Sequence, residues 1–270
     1  MPRQPKLLVA VGKKGVGKSF TTEKLLRQYA MGNPAKGLPG RRVLIVDVND
    51  EFTQFKAIKP DDVGLFSVHP MIEIRRIRPF YPDGRKMSLD GIAETLFLCL
   101  ENFKNGLLLI EDINKYISDT MPNDLVGAIC TNRHAGVDVI LHYQSIGRIT
   151  SKVWQNLNII RFHKITDSVK RHKHKFEDKI HYMSIAEILV NNRYEEGDKH
   201  FFVYIDVDDE KIYGDFSDDE MEKAVIAYIQ HNYSALIAPL LNARDEKGKK
   251  IYTHQSAIAE IQKKLLRHKL

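Results

Sequence analysis

The stretch Leu7-Leu8-Val9-Ala10-Val11-Gly12-Lys13-Lys14-Gly15-Val16-Gly17-Lys18-Ser19 decides the fold of this chain. An apolar run leads into a glycine-rich segment that fits the pattern G-x-x-x-x-G-K-[ST] at every defined position. Between a strand and a helix, such a segment lets consecutive backbone N–H groups curl round the phosphates of a nucleotide. The sequence therefore predicts a phosphate-binding loop. A glycine-rich turn without a ligand is the alternative.

Each part of this loop has an expected role. Lys18 would reach the β and γ phosphate oxygens, and the hydroxyl of Ser19 would bind Mg²⁺. The helix that opens at Ser19 adds its positive N-terminal end to the same anion. The predicted nucleotide contacts are Gly12, Lys13, Lys14, Gly15, Val16, Gly17, Lys18, Ser19 and Phe20. The expected cofactors are ATP and Mg²⁺.

Length, charge and cysteine content set limits on the class of protein. The 270 residues suit one large α/β domain, or a nucleotide-binding domain with a small appendage. No apolar run approaches the ~20 residues that cross a bilayer, so no membrane span is expected. With only Cys99 and Cys130 we expect no disulfide framework and a reducing compartment, the cytoplasm, or the host cytoplasm if the protein is viral.

Positive charge is concentrated in two places. The formal net charge is +6, and cations cluster in the run 170–175 and in the C-terminal tail. Clustered Lys and Arg side chains gain affinity for nucleic acid by displacing condensed counterions. A solvated helix face is the alternative for each run.

Strands alternate with helices over the first part of the chain, which predicts a mostly parallel sheet with right-handed crossovers. Strands are expected at 7–11, 42–47, 64–68, 73–77, 106–112, 137–142 and 158–163, and helices at 19–31, 89–103 and 123–133. The pattern fades after Ile165, which predicts a nucleotide-binding core at 1–165. Residues 166–270 would form a mixed α/β extension with a basic helical tail. Expected there are helices at 167–179, 218–231 and 256–266, and a strand at 200–206 that leads into a hairpin turn.

A phosphate loop needs a strand that ends in carboxylates beside the metal. The strand at 107–110 ends in Glu111-Asp112, and the strand at 43–46 ends in Asp47. The pair suits hydrolysis better, because one carboxylate can hold the water shell of the metal while the next polarises the attacking water. Asp47 is either a second candidate or a cap at the end of its strand.

Two further residues would complete a hydrolytic site. Gln144 follows a buried strand at the carboxyl edge, where open α/β sheets bind their ligands, and its amide could orient the attacking water. Arg133 could act as an arginine finger in the site of a neighbouring subunit. The alternatives are an exposed polar residue for Gln144 and a charge at a helix C-terminus for Arg133.

The order of these parts resembles the HerA/FtsK superfamily of ring-forming, DNA-pumping ATPases, which includes conjugation motors and some viral packaging ATPases. The similarity covers roughly residues 6–165. In this family the second strand commonly ends in an Asp followed by a Glu-aromatic pair, which Asp47, Glu51 and Phe52 match. The family also has an Arg-x-x-Gly segment before a strand that ends in Gln, which Arg133, Gly136 and Gln144 match.

This resemblance implies a RecA-like P-loop ATPase that couples Mg-ATP hydrolysis to movement of double-stranded DNA, in genome packaging or DNA transfer. It also implies a ring oligomer, hexameric by analogy, with a capsid portal, a vertex or another translocation partner. Carried over by position, Lys18 and Ser19 bind phosphate and Mg²⁺, Glu111 is the metal-side acid, Asp112 activates water, Gln144 is the sensor and Arg133 the finger in trans. The family usually has Asp then Glu, or two Glu, at the acid pair. The order Glu111-Asp112 implies a slow ATPase or exchanged roles.

Two other interpretations stay open. Lys13 resembles the signature lysine of ParA/MinD-type partition ATPases, although Lys14 replaces a glycine of that loop and the companion motifs of that class are missing. A nucleotide-binding scaffold or virion component with little turnover is the third possibility, favoured by the reversed acid pair alone.

Overall fold

The apolar runs become parallel strands in the computed structural model, which describes residues 4–113, 127–129, 135–176 and 179–269. The chain divides into two compact units, Met1–Ile160 and Arg161–Leu270. The first unit contains, in chain order, β1 (Leu7–Val11), α1 (Lys18–Met31), β2 (Gly32–Asn33), β3 (Leu38–Pro39), β4 (Arg42–Val46), β5 (Lys56–Ala57), α2 (Val63–Val68), β6 (Ile74–Ile77), α3 (Leu89–Asn102), β7 (Gly106–Ile110), β8 (Asp138–Tyr143) and α4 (Ser151–Asn156). The strand β9 (Ile159–His163) contains the boundary. The predicted division into 1–165 and 166–270 stays a prediction.

A parallel sheet forms the core of the first unit. Its described strands lie in the order β1-β8-β7-β4-β6-β5, and each neighbouring pair is parallel. All five residues of β1 and of β7 are buried, as are all six of β8. Strands covered on both faces are mostly apolar, which explains the long apolar runs in the sequence. The two polar residues of β8, Asp138 and His142, are buried with hydrogen-bond partners.

Parallel pairing brings several strand ends to one edge. The register places Val11 opposite Tyr143, and Val46 opposite Ile110, so β1, β8, β7 and β4 finish at neighbouring positions. The segments that follow these strands therefore meet at the carboxyl edge of the sheet, where open α/β folds carry their sites.

One of the expected strands is a helix. Residues 63–68 form α2, in which Val63 and Phe66 are buried while Leu65 is 72% exposed. Phe66 stacks on Phe103, with ring centroids 6.0 Å apart. The prediction of a strand at 64–68 was wrong, because a segment of five residues is too short for its period to distinguish a strand from a short helix. Of the helix predicted at 123–133, only residues 127–129 are described, and they are helical.

The second unit is mixed. It contains α5 (Ile180–Glu195), β10 (Phe202–Asp206), β11 (Lys211–Gly214), α6 (Asp218–His231), α7 (Tyr233–Leu236), α8 (Ala238–Asn242) and α9 (His254–Leu266). The strands β10 and β11 form an antiparallel hairpin, so the turn predicted after Asp206 is confirmed. The tail helix α9 buries Ala257 and Leu265 and contacts α6, where Gln262 donates a hydrogen bond to Glu222 at 2.7 Å.

The basic run of this unit is a 3-10 helix, Val169–Lys175, which we call the basic segment. Its first residue is buried, as is Phe176 immediately after it. The backbone N–H of Val169 donates to the Glu187 carboxylate of α5 at 3.2 Å. The segment is therefore fixed at both ends. Its exposed cationic residues are Lys170, Arg171 and Lys173.

Among the described residues, no helix combines the length and the apolar character that crossing a bilayer requires.

Gly32 provides a test of the local geometry at the end of α1. Its φ is +71° and its ψ is −167°, a region that only glycine populates readily, and a Cβ there would lie 2.4 Å from the backbone N of Gly40. Gly37 has a φ of +67°, and a Cβ there would meet no atom within 4 Å. We expect Gly37→Ala to lower the free energy of unfolding by about 1–2 kcal/mol. Gly32→Ala adds a backbone clash and should cost about 1–3 kcal/mol more.

Urea denaturation of the two variants and the wild type measures this difference. Equal losses for the two variants would contradict the packing of residues 38–40 against Gly32.

Candidate active site

The glycine-rich loop connects β1 to α1, as its sequence predicts. The backbone N–H of Gly12 donates to the carbonyl of Tyr143 at 3.1 Å, which joins the start of the loop to the end of β8. Gly15 and Gly17 have φ values of +83° and +81°. A Cβ at Gly15 would meet no atom within 4 Å, so glycine is needed there for backbone conformation rather than for space.

Lys18 lies across the inside of this loop. Its Nζ donates to the carbonyl oxygens of Gly12 at 2.5 Å and of Lys13 at 2.9 Å. These bonds hold the ammonium group inside the loop. A bound anion would take the place of the two neutral carbonyls as the hydrogen-bond acceptor of Lys18. Charge-assisted hydrogen bonds are roughly twice as strong as neutral ones, so the exchange is favourable.

Asp112 and Gln144 come from different strand ends and meet directly. The Gln144 amide nitrogen donates to Asp112 Oδ1 at 2.9 Å, and the amide of Asn49 lies 3.4 Å from Oδ2. Asp112 is 7% exposed, and its φ is +45°. Two amides therefore orient one carboxylate at the carboxyl edge.

Glu111 lies beside Asp112 and has a different electrostatic environment. It is 3% exposed. Burial, followed by the negative charges of Glu51 and Asp47, raises the pKa of Glu111 to about 9. The carboxyl group therefore carries its proton at neutral pH in the ligand-free site. A cation nearby would favour the ionised form.

Asp47 is the buried support of the neighbouring loop. It is fully buried, and its carboxylate accepts hydrogen bonds from the backbone N–H groups of Glu51 at 2.9 Å and Phe52 at 3.0 Å. Arg76 of β6 donates to Asp47 Oδ2 at 2.7 Å and also pairs with Asp50. Asp47 therefore caps the end of its strand, as one of the two interpretations expects, and its role as a second candidate acid stays a prediction.

These elements enclose a cleft of about 720 Å³. Its lining residues are Lys14, Gly15, Gly17, Lys18, Ser19, Phe20, Asn49, Glu51, Glu111, Asp112, His142, Tyr143 and Gln144. The predicted residues Lys18, Ser19, Glu111, Asp112 and Gln144 all lie in it. Arg133 falls outside the described residues, as does Cys130.

Several lining residues were not assigned a role from the sequence. Asn49 and Glu51 come from the loop after β4, and His142 and Tyr143 from the end of β8. The His142 ring nitrogen Nε2 lies 2.8 Å from the Thr22 hydroxyl, in a buried contact between β8 and α1. Only the Glu-aromatic pair of the family pattern pointed to Glu51.

Phe20 is an unusual lining residue because 64% of it is exposed. It follows Ser19 in the first turn of α1, and the Nζ of Lys24 lies 4.5 Å from the centre of its ring. An exposed aromatic ring at the wall of a polar cleft offers a flat surface that could cover a planar ligand.

The oxygen groups of the cleft suit a hard divalent cation. The hydroxyl of Ser19 and the carboxylates of Glu51, Glu111 and Asp112 are the ligand types that Mg²⁺ prefers. Over the described ranges, no group of three or more His, Cys, Asp or Glu side chains is arranged to hold a metal by itself. Mg²⁺ in phosphate-transfer sites usually takes one or two carboxylates together with substrate phosphates and water, which the cleft can supply with a nucleotide.

No family model matches this chain, and no curated protein sequence matches it. Solved structures do match. The genome packaging NTPase B204 from Sulfolobus turreted icosahedral virus 2, in complex with sulfate, has a TM-score of 0.54 at 16% identity, over 77% of this chain and 95% of that chain. Its complex with ATP-gammaS gives 0.52 at 16% identity, with the same coverage. B204, the DNA-packaging ATPase from Sulfolobus turreted icosahedral virus, gives 0.52 at 14% identity, over 78% and 97%.

At these identities the likeness concerns the fold. The chain is an α/β protein with a large, mostly parallel sheet flanked by helices, and it has the RecA-like P-loop NTPase fold. The predicted fold class is confirmed. The resemblance to packaging ATPases is confirmed at the level of fold as well.

The protonation of Glu111 predicts a pH dependence of stability. With a native pKa near 9 and an unfolded pKa near 4.5, the native state holds a proton that the unfolded chain has released between these values. The free energy of unfolding therefore falls as the pH rises through this window, by at most about 1.4 kcal/mol per pH unit from this group. Glu111→Gln removes this titration, so its decline between pH 5 and pH 9 should be smaller.

Urea denaturation across this pH range measures the effect, with the exposed Glu101→Gln as the control. Parallel curves for wild type and Glu111→Gln would show that Glu111 is ionised in the native protein.

Proposed function

We propose that this chain is an ATPase that couples hydrolysis of Mg-ATP to movement of double-stranded DNA, in genome packaging or DNA transfer. The observation that carries the proposal is that Lys18, Ser19 and the hydrogen-bonded pair Gln144–Asp112 line the same cleft. The fold supports it, since neighbours with this fold are a genome packaging NTPase crystallised with ATP-gammaS and a DNA-packaging ATPase.

In this proposal the loop binds the triphosphate. Residues 12–17 contact the phosphates through their backbone, and Lys18 exchanges the carbonyls of Gly12 and Lys13 for β and γ phosphate oxygens. Ser19 and Glu111 would hold Mg²⁺. When bound, Mg²⁺ neutralises negative charge on the β and γ phosphate oxygens.

The acid and amide pair would direct the attack of water. Asp112 accepts a hydrogen bond from the water, whose oxygen bonds to the γ phosphorus as the bond to the β–γ bridging oxygen breaks. The products are ADP and inorganic phosphate, and the proton of the water passes through Asp112 to solvent. Gln144 keeps the Asp112 carboxylate in this orientation through its 2.9 Å hydrogen bond.

We further propose that the active form is a ring, hexameric by analogy, in which Arg133 of one subunit completes the site of the next. A capsid portal, a vertex or another translocation partner would anchor such a ring. The proposed location is the cytoplasm, or the host cytoplasm for a viral protein. A finger supplied in trans would make hydrolysis depend on assembly, because the transition state needs added positive charge.

The DNA contacts in this proposal are mostly to phosphates. The exposed Lys170, Arg171 and Lys173 of the basic segment carry the charge that such contacts need, on a segment fixed at both ends. Affinity would then fall steeply with salt and depend little on base sequence.

ATP hydrolysis with and without double-stranded DNA tests the proposal. We expect hydrolysis that DNA stimulates, and a ring in the presence of DNA and a non-hydrolysable ATP analogue. Turnover that requires a partner protein or a membrane would instead indicate the partition class. Tight nucleotide binding without turnover would indicate a scaffold.

Lys18→Ala should lower the hydrolysis rate by about 100-fold or more, because phosphoryl transfer depends on positioned positive charge. The control is Lys36→Ala, which removes an exposed lysine after α1 that does not line the cleft. Normal hydrolysis by Lys18→Ala would overturn the assignment of the whole site.

The exposed ring of Phe20 leads us to expect that it contacts the base of the bound nucleotide. A base that stacks on its exposed ring gains about 1–3 kcal/mol, whichever base it is. Phe20→Ala should therefore weaken the binding of ATP and of GTP by about tenfold each and leave the binding of inorganic tripolyphosphate unchanged. Titration calorimetry with the three ligands measures this, with Leu65→Ala as the control for loss of an exposed apolar side chain. An equal loss for tripolyphosphate would show that Phe20 supports the loop instead.

A further inference from the structure

The Ser19 hydroxyl is engaged by a residue from a distant segment. Its Oγ donates a hydrogen bond to Glu51 Oε2 at 3.1 Å, across 32 positions of sequence. In a phosphate-binding loop this hydroxyl is the group that binds Mg²⁺. Glu51 therefore reaches the atom to which the cation would bind.

The backbone holds Glu51 at this position. Its N–H donates to the buried Asp47 at 2.9 Å, and the next residue, Phe52, donates to the same carboxylate and is 2% exposed. Arg76 neutralises Asp47 through an ion pair whose two side chains are 8% and 0% exposed. The loop is thus anchored in the core, while the side chain of Glu51 is exposed in the cleft.

Glu51 also faces the buried acid of the site. Both carboxyl groups line the cleft, and the negative charge of Glu51 is one of the causes that raise the pKa of Glu111, so Glu51 is near both the hydroxyl at the start of α1 and the acid at the end of β7. Lys14 and Lys18 line the same cleft and provide the opposite charge.

We propose that Glu51 is a positioning residue that makes tight nucleotide binding depend on a divalent cation. This inference rests on the proposed function, since it concerns the same site. Without a cation, the Glu51 carboxylate repels the phosphate oxygens that approach Ser19, and it keeps the Ser19 hydroxyl engaged. With Mg²⁺ at Ser19, the same carboxylate is attracted to the metal and favours the bound state.

A purely structural role for Glu51 predicts a different result. The contacts that hold the loop come from the backbone N–H of Glu51 and from Asp47, and a change of the side chain leaves both in place. Replacing the carboxylate should then affect nucleotide binding equally with and without the cation.

The test compares ATP affinity in Mg²⁺ and in EDTA, measured by titration calorimetry on the full chain. The quantity of interest is the factor by which Mg²⁺ tightens binding. In Glu51→Gln, which keeps size and a hydrogen-bond acceptor but removes the charge, we expect this factor to fall about tenfold, with tighter binding in EDTA than the wild type shows.

Glu23→Gln is the matched control. Glu23 lies on α1, pairs with Arg27 at 2.7 Å and does not line the cleft, so its loss removes the same charge without the contact to Ser19. We expect its Mg²⁺ factor to equal that of the wild type. Urea denaturation of both variants verifies that they are folded.

A Mg²⁺ factor in Glu51→Gln that equals the wild-type value would overturn this inference and leave the proposed function standing. An equal fall in Glu23→Gln would overturn it as well, since the effect would then be that of net charge. If the wild type does not bind ATP at all, both the inference and the proposed function fail.

Discussion

The buried ion pair between Asp47 and Arg76 is the constraint on which the candidate site depends. Asp47 ends β4 without any exposure, so its charge is tolerable only while its oxygens are satisfied. Arg76, from the neighbouring strand β6, supplies the countercharge, and two backbone N–H groups complete the set. Since leaving a buried charge without partners is costly, these contacts favour the observed conformation of the loop after β4. That conformation brings Asn49 and Glu51 into the cleft.

The second constraint is the direction of the strands. Because β1, β8, β7 and β4 are parallel, the segments that follow them meet at one edge, although the paired ends of β1 and β8, Val11 and Tyr143, are far apart in sequence. The glycine-rich loop contributes one part of the cleft lining, and the acids Glu111 and Asp112 with the amides Asn49 and Gln144 contribute another. The cleft between them is a consequence of topology, while its electrostatics follow from burial. Glu111 is enclosed and retains a proton, whereas Asp112 is held by two amides.

Much of this could be predicted from the sequence, for a physical reason. Buried parallel strands need unbroken apolar runs, so β1, β4, β7 and β8 were located to within a residue or two at most of their ends. The loop pattern identified Lys18 and Ser19 as candidate site residues, and the strand ends identified Glu111, Asp112 and Gln144. All five line the cleft, and their roles stay predictions. The prediction of a strand at 64–68 was wrong, because so short a segment has no decisive period. The helix Ile180–Glu195 was missed although its buried residues lie on one face, because Ile180 and Ile188 outside that face blur the apolar stripe in the sequence. The position of Glu51 depends on the tertiary ion pair between Asp47 and Arg76, which no local pattern reveals.

The left-handed backbone at Asp112 explains why the acid pair has the order glutamate then aspartate. With a φ of +45°, this position suits aspartate and asparagine better than most residues, because their short polar side chains tolerate the left-handed region. The preceding position is enclosed and accommodates the longer acid. The order glutamate then aspartate therefore follows from the backbone conformation of the turn after β7, and the residues at 111 and 112 are not interchangeable. Exchanging the two acids would place the longer glutamate in the left-handed position, so the exchange would require the turn itself to change.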